Sequence, residues 1–360
     1  MMVGETGYVH VESPQLVRTR SGFAIFGDNA LVATVTDSGF GHVAGWPRGP
    51  RMLAGMLART GGPFAPLALH AHLRSFIAVR AVGDNAGSAH VFWGESPDTT
   101  AEQFLHVRAL MYARFDGTSW SEPERVLTDS TMEWNDVYTS ITTMGNDVHV
   151  LIPVDTRGGP TLHVRRRASG AWVIKRYPIR THYTALTVLP NGTLLAGYIP
   201  SGSPSDRGVV IALASTDSGA SWSEPRTIRR TGRGDAYALH FVPARHDLYA
   251  VWESSPPRTE AHQLLSTALE KHDSIQAAIS TDSGKTWTTL PGLAVAGGVS
   301  GLVAAADSSG LVHLAFQTKA PDSTRVLAAA ALEHGRWVGP TTIGPGPFWP
   351  TIAVPNRDSV

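Results

Sequence analysis

The chain contains no cysteine, so neither a disulfide framework nor a thiolate metal site is open to it. It carries no net charge either: 30 basic side chains offset 30 acidic ones, which removes any global field for nucleic acid or an anionic membrane. The basic run Arg165-Arg166-Arg167 reads as a solvated strand edge, and no nucleic-acid partner is expected. No stretch of 18 apolar residues is present to span a membrane. The start, Met1-Met2-Val3-Gly4-Glu5-Thr6-Gly7-Tyr8, lacks the basic and apolar segments of a signal peptide. The expected location is therefore cytoplasmic, or extracellular or periplasmic if a leader has been removed. Spacing of the His-Glu-x-x-His kind is absent, and His70 with His72 is the one pair suited to chelation, so neither a metal nor a cofactor is expected. What the sequence does have is 36 glycines and 24 prolines in 360 residues, with 42% hydrophobic residues. That composition describes a turn-rich chain whose core is spread over many small sheets.

Two octapeptides, Ser215-Thr-Asp-Ser-Gly-Ala-Ser-Trp222 and Ser280-Thr-Asp-Ser-Gly-Lys-Thr-Trp287, share the pattern Ser-x-Asp-x-Gly-x-x-Trp. The aspartate can accept bonds from backbone N–H groups a few residues on, glycine supplies a positive φ, and the tryptophan is expected to enter the next strand and pack between sheets. Weaker copies precede Phe64, Trp120, Trp172 and Trp337, which makes six aromatic anchors at gaps of 50 to 65 residues. Each anchor follows a short strand-like run, such as Val209 to Ala214 or Ile275 to Ile279. Upstream of each lies an apolar run, such as Val148 to Val154 or Leu248 to Trp252, that reads as a buried strand. Strand, turn, buried strand, loop, strand, Asp turn and aromatic strand make a four-stranded antiparallel meander, and its radial repetition makes a β-propeller.

The two strict octapeptides resemble the Asp-box, or BNR, repeats of the sialidase superfamily, whose propellers have six blades. The expected fold is thus all-β, a single six-bladed β-propeller over 1–360 with Asp-box turns. Its blades fall near 11–70, 71–129, 130–180, 181–231, 232–295 and 296–343, with 344–360 as a closing strand. Asp-boxes specify architecture rather than chemistry, so Asp217 and Asp282 read as turn caps on the face away from any active site. The residues Phe348 to Val354 are suited to pair into the first blade and clasp the ring, displacing or flanking the early strand around Gln15 to Arg18.

Function belongs at the opposite face, built from the approaches to the first strands and the connections between second and third strands. Candidate catalytic residues there are Glu253, Asp235, Glu95, Asp155 and Tyr237. Candidate substrate-binding residues are His70, His72, Arg74, Trp134, Asn135, Asp136, His182, Tyr183, Arg258 and Trp349. Aromatic rings stack on sugars, Asp, Asn and His bond hydroxyls, and an acid–base pair can flank a scissile bond, so a carbohydrate ligand is expected. His90, His149 and His313 recur at equivalent places in apolar strands and read as packing residues.

Tyr237 beside Asp235 echoes the nucleophile and base of a retaining sialidase. The resemblance also implies three arginines on the substrate carboxylate, one in an Arg-Ile-Pro segment, whereas the matching stretch here is Glu12-Ser13-Pro14. A glutamate there repels a sialic acid, which disfavours true sialidase activity. Three readings follow. One is a glycoside hydrolase with paired carboxylates, Glu253 first, partnered by Asp235, Glu95 or Asp155. Another is a non-catalytic glycan- or protein-binding propeller. The third is a polysaccharide lyase in which His182 with Tyr183 or Tyr237 acts as base and acid, and Arg74 or Arg180 neutralises a uronate. The long insertion Ser254 to Asp273, with a helix-compatible stretch from Thr259 to Lys271, reads as a lid over the same face or as a partner-docking patch.

Overall fold

The computed structural model describes residues 8–19, 22–33, 54–59, 64–66, 76–95, 109–128, 139–154, 160–200, 208–230, 235–255 and 272–345. Side chains are described from Arg80 on, apart from Glu95, His182, Arg230, His272 and Pro345. The chain divides into two compact units, Met1–Asp136 and Val137–Val360. Every regular element among the described residues is a β-strand.

The first unit holds two four-stranded antiparallel sheets, each with its strands in chain order. One contains β1 (Tyr8–Thr19), β2 (Gly22–Ala33), β3 (Ala54–Arg59) and β4 (Phe64–Pro66). The other contains β5 (Phe76–Gly83), β6 (Ala89–Glu95), β7 (Ala109–Phe115) and β8 (Glu124–Thr128).

The second unit repeats the meander. One sheet contains β9 (Ser140–Met144), β10 (Asp147–Pro153), β11 (Thr161–Arg166) and β12 (Trp172–Tyr177). The next contains β13 (Thr181–Val188), β14 (Leu194–Pro200), β15 (Val209–Ser215) and β16 (Arg226–Arg230). The last sheet has eight strands: β17 (Ala236–Ala244), β18 (Asp247–Ser254), β19 (His272–Ser280), β20 (Thr288–Thr289), β21 (Leu293–Ala306), β22 (Val312–Lys319), β23 (Arg325–Glu333) and β24 (Arg336–Pro345). β21 is the reason for its size. Its first half pairs with β19, Leu293 opposite Ile275, and its second half pairs with β22, Ala304 opposite Leu314. Gly297 and Gly298 lie where the strand changes partner; a Cβ on Gly297 would stand 2.1 Å from the Lys319 carbonyl.

The apolar runs become second strands buried along their length, as in β10 and β18. A strand covered on both faces needs a near-continuous apolar sequence, and here the cover comes from neighbouring sheets. Leu151 of β10 packs with Leu186, Leu194 and Leu213 of the next sheet. Ala185, Leu195 and Ala212 pack in turn with Phe241, Ala250 and Trp252. Tyr249, Val251 and Ile275 pack with Leu302, Leu314 and Phe316. The closeness is set by residues such as Gly197, where an added Cβ would lie 2.5 Å from the Phe241 ring. Trp252 is fully buried, and truncating such a residue to alanine costs about 3–5 kcal/mol.

First strands pack beside first strands: β9 beside β13, β13 beside β17, and β17 beside β21. Face-packed four-stranded antiparallel sheets whose first strands succeed one another are consistent with a β-propeller. The tail Phe348 to Val354 and most of the insertion from Ser254 to Asp273 lie outside the described residues.

The two octapeptides form matching turns. Ser215 and Ser280 hydroxyls donate to Asp217 and Asp282 Oδ1, each at 2.8 Å. The N–H groups of Ser221 and Thr286 donate to the same oxygens at 2.8 Å, and their hydroxyls donate to Oδ2. Positive φ falls on two residues of each turn, Ser218 (58°) with Gly219 (76°) and Ser283 (61°) with Gly284 (80°). The tryptophans differ from expectation: Trp222 and Trp287 precede the fourth strands, which begin at Arg226 and Thr288. A single backbone bond, Ser223 N–H to the Ala214 carbonyl at 2.8 Å, closes the turn before regular pairing starts. Packing between sheets follows all the same. Trp222 meets His163 and Tyr177 edge-on at 5.7 and 6.4 Å, and the Trp337 indole N–H donates to the Pro291 carbonyl at 2.6 Å.

Candidate functional site

Each meander has two unlike ends. Hairpins between first and second strands share one end with the Asp turns. The start of the first strand, the close of the second and the start of the third share the other. Asp217 and Asp282 therefore lie at the end of their sheets opposite Tyr183 and Glu253.

At that second end the first strands other than β9 are irregular. Pairing slips between His10 and Gln15 in β1, Ile77 and Arg80 in β5, Thr181 and Tyr183 in β13, Tyr237 and His240 in β17, and Ser300 and Val303 in β21. A bulge inserts a residue, bends the strand and re-aims the side chains beside it, and bulges concentrate next to active sites. Two bulges contain residues with positive φ, Ala238 (48°) and Gly301 (66°).

Three candidates meet there. The Tyr237 hydroxyl donates to Asp235 Oδ2 at 3.2 Å, and the Tyr183 ring stands edge-on to Tyr237, with centroids 5.6 Å apart and planes at 88°. The buried Thr181 hydroxyl lies 2.7 Å from both the Tyr183 and the Ile199 carbonyl, its one proton serving either, and its oxygen accepts the Tyr183 N–H at 3.0 Å, which closes the β13 bulge around His182. Asp235 is anchored through its backbone: its carbonyl accepts the Ser255 N–H at 3.1 Å. All three side chains are half-buried, as groups must be that are held by protein and open to a ligand.

Glu253 sits directly across the ladder from Tyr237. Its side chain is 2% exposed, and Oε1 accepts the Leu302 N–H at 2.8 Å. The Leu302 carbonyl in turn meets His240 Nε2 at 2.7 Å. Beyond it, the Ser300 hydroxyl donates to the buried Gln317 Oε1 at 3.4 Å.

Glu95 closes β6 in the first unit, and His182 lies in the β13 bulge; their side chains are outside the described set. Asp155, His70, His72, Arg74, Trp134, Asn135, Asp136, Arg258 and Trp349 lie outside the described residues. His240, Ser300, Leu302 and Gln317 were missed by sequence reasoning. Glycine inside a strand run, Gly297-Gly298 and Gly301, was the available signal for the β21 bulge. Ala238 gave none.

The recurrent histidines hold the framework. His90 is buried between the Tyr112 hydroxyl at 2.8 Å and Asp84 Oδ2 at 3.1 Å, and His313 meets Asp307 Oδ2 at 3.0 Å. His149 stacks on His163, ring planes 13° apart, with Nδ1 and Nε2 separated by 3.0 Å. Burial pushes both down, His149 to about 4 and His163 to about 3, the neighbouring ring and Arg165 adding to the effect on His163. Among the described residues, no three His, Asp or Glu side chains gather as a metal-ligand set.

No family model matches the sequence, and no curated protein matches it. Solved structures do. A protein of unknown function from Dyadobacter fermentans DSM 18053 is 11% identical with a TM-score of 0.56, over 90% of this chain and 94% of that one. An ulvan lyase of a new polysaccharide lyase family, bound to -[GlcA(1-4)Rha3S]-, is 10% identical with a TM-score of 0.53, over 75% of this chain and 71% of that one. A Trypanosoma rangeli sialidase in complex with sialic acid gives a TM-score of 0.46 at 13% identity, over 81% and 51%. The likeness shows the fold. Chemistry has to come from the side chains.

Proposed function

We propose that the protein is a six-bladed propeller acting on a carbohydrate, a glycoside hydrolase whose reaction centre lies at the bulged ends of the first strands. Six blades are supported by the six anchored units and by the eight-stranded sheet, which divides at β21 into two meanders. The observation that carries the chemistry is the bond from the Tyr237 hydroxyl to the Asp235 carboxylate, beside the edge of Tyr183. A phenol is a weak nucleophile until a base takes its proton. In this scheme the Tyr237 oxygen bonds to the anomeric carbon as its proton passes to Asp235. The glycosidic bond breaks, and the departing oxygen takes a proton from an acid, for which Asp155, two residues beyond the end of β10 in the sequence, is the candidate. Water then gives a proton to the carboxylate left by that acid and bonds to the anomeric carbon, the tyrosyl–sugar bond breaks, and the departing Tyr237 oxygen takes its proton back from Asp235. Glu253, buried and bonded to Leu302, takes no part in this proton traffic.

A second reading is favoured by Arg180, exposed immediately before the bulge that carries His182 and Tyr183. In a lyase, Arg180 neutralises a uronate carboxylate, His182 removes the adjacent C–H proton and Tyr237 protonates the leaving oxygen as the C–O bond breaks. The ulvan lyase bound to -[GlcA(1-4)Rha3S]- makes uronate polysaccharides the first lyase substrates to try. The test sets wild type against Tyr237→Phe and Asp235→Asn on a panel of chromogenic glycosides and uronate polysaccharides. Aglycone or reducing-sugar release without any unsaturated uronide, lost in both variants, supports the hydrolase. Unsaturated uronide product, lost in Tyr237→Phe, supports the lyase. Glycan binding without turnover in the wild type overturns both in favour of a binding propeller.

A further inference from the structure

We infer that Glu253 and His240 are positioning residues that clamp the Leu302 peptide and so fix two neighbouring bulges of the site; the inference rests on the proposed function for its role and on the hydrogen bonds for its existence. Leu302 lies in the β21 bulge beside Gly301, where the ladder to β22 is interrupted between Ser300 and Val303. A bulged peptide loses its regular ladder partners, and buried N–H and C=O groups must find others. Here both partners are side chains from neighbouring strands: Glu253 of β18 takes the N–H and His240 of β17 meets the carbonyl.

The clamp reaches the reacting pair from both sides. His240 is the first residue back in register after the β17 bulge, Tyr237 is the last before it, and Glu253 is the ladder partner of Tyr237. Between Tyr237 and His240 the strand passes through Ala238, a non-glycine residue at φ 48° that holds this conformation only if its surroundings enforce it. Tying Glu253 and His240 to the two peptides that flank the Leu302 Cα supplies that enforcement and sets the direction in which Tyr237 leaves the strand. A carboxylate only 2% exposed and turned onto a backbone N–H is suited to holding protein rather than touching sugar.

The distinction is testable because glutamine keeps the acceptor and loses the acid. The measurements are kcat and KM on an accepted glycoside together with amide hydrogen exchange at Leu302, for Glu253→Gln, Glu253→Ala and His240→Leu. A positioning role predicts that Glu253→Gln stays within about 3-fold of wild type in kcat with Leu302 still protected. It predicts that Glu253→Ala exchanges at Leu302 about 10-fold faster or more and binds sugar more weakly. Should Glu253→Ala not fold, His240→Leu keeps the carboxylate bond and reports the same loosening from the carbonyl side. A loss of about 100-fold in kcat for Glu253→Gln with Leu302 still protected would overturn the inference and make Glu253 an acid or base. Unchanged exchange at Leu302 in both Glu253→Ala and His240→Leu would overturn it as well. A wild type that turns over no sugar defeats the proposed function alone, since the exchange measurement needs no substrate.

Discussion

The two ends of each meander are built on different rules. At the turn end the aspartate bonds are short-range and repeated: Asp217 and Asp282 satisfy groups within four residues of themselves, and Asp116 does the same for the N–H groups of Thr118 and Ser119. At the other end the carboxylate of Glu253 reaches Leu302, 49 residues away, and the Tyr183 ring meets Tyr237 from another sheet. A local turn can be copied from blade to blade because nothing outside it need change. The contact between Tyr183 and Tyr237 joins two particular side chains from two sheets and has no such local copy. Repetition in this chain marks framework, and under the proposed function the interrupted pairing marks the place for chemistry.

The largest effect that tests this contrast is on turnover. Tyr237→Phe is expected to lower kcat by about 100-fold or more, whereas Asp217→Ala lowers stability and leaves kcat unchanged. Equal losses in the two variants, by initial-rate kinetics, would erase the distinction between the ends.

Next in size is a comparison within the turn end. A Cβ on Gly219 would lie 2.1 Å from His163 Cε1, one on Gly284 would lie 3.2 Å from Leu195 Cδ1, and one on Gly145 would meet nothing within 4 Å. All three glycines have positive φ, so alanine strains each backbone, but at Gly219 it also pushes apart two sheets. Urea denaturation should rank the losses Gly219→Ala above Gly284→Ala above Gly145→Ala, from about 3 kcal/mol or more down to about 1 kcal/mol. A Gly145 variant as damaging as the Gly219 variant would show that His163 is not a rigid wall.

Smaller is the response to acid. An unfolded histidine takes up its proton near 6.5, whereas folded His149 and His163 do so only near 4 and 3, with Arg165 and Lys175 opposing the charge on His163. The unfolded chain binds more protons in that interval, so stability is full above about pH 6.5 and declines as pH falls toward the folded values. Asp282 adds a lower window. Its carboxyl, held down to about 2 by the Thr286 hydroxyl and N–H, contributes stability that is present above about pH 4 and lost as pH falls through 2. Denaturation midpoints for wild type and His163→Phe across pH 7 to 3 check the first window. A wild-type curve that is flat from pH 6.5 to 4 would contradict it.

Much of the framework could be read from residues. Val209 to Ala214 and Ile275 to Ile279 predicted β15 and β19 because an apolar run bounded by turn chemistry has few other solutions. Asp217 and Asp282 announced their turns because each oxygen serves groups nearby in sequence. Tyr237 beside Asp235 was legible for the same reason, the two lying two residues apart across the start of β17. Glu253 was visible as a carboxylate at a strand end, but its burial against Leu302 was not, since the two are 49 residues apart and meet only through packed sheets. The bulge at Ala238 was invisible because an alanine in the left-handed region carries no sequence mark, and the continuation of β21 through two pairings was hidden by a run that reads as two strands.

That shared strand has a mechanical consequence. The final two meanders hang on one continuous backbone and one apolar cluster, from Tyr249 and Ile275 to Phe316 and Leu332. A substitution that loosens either meander therefore weakens the other, because backbone and core are common to both.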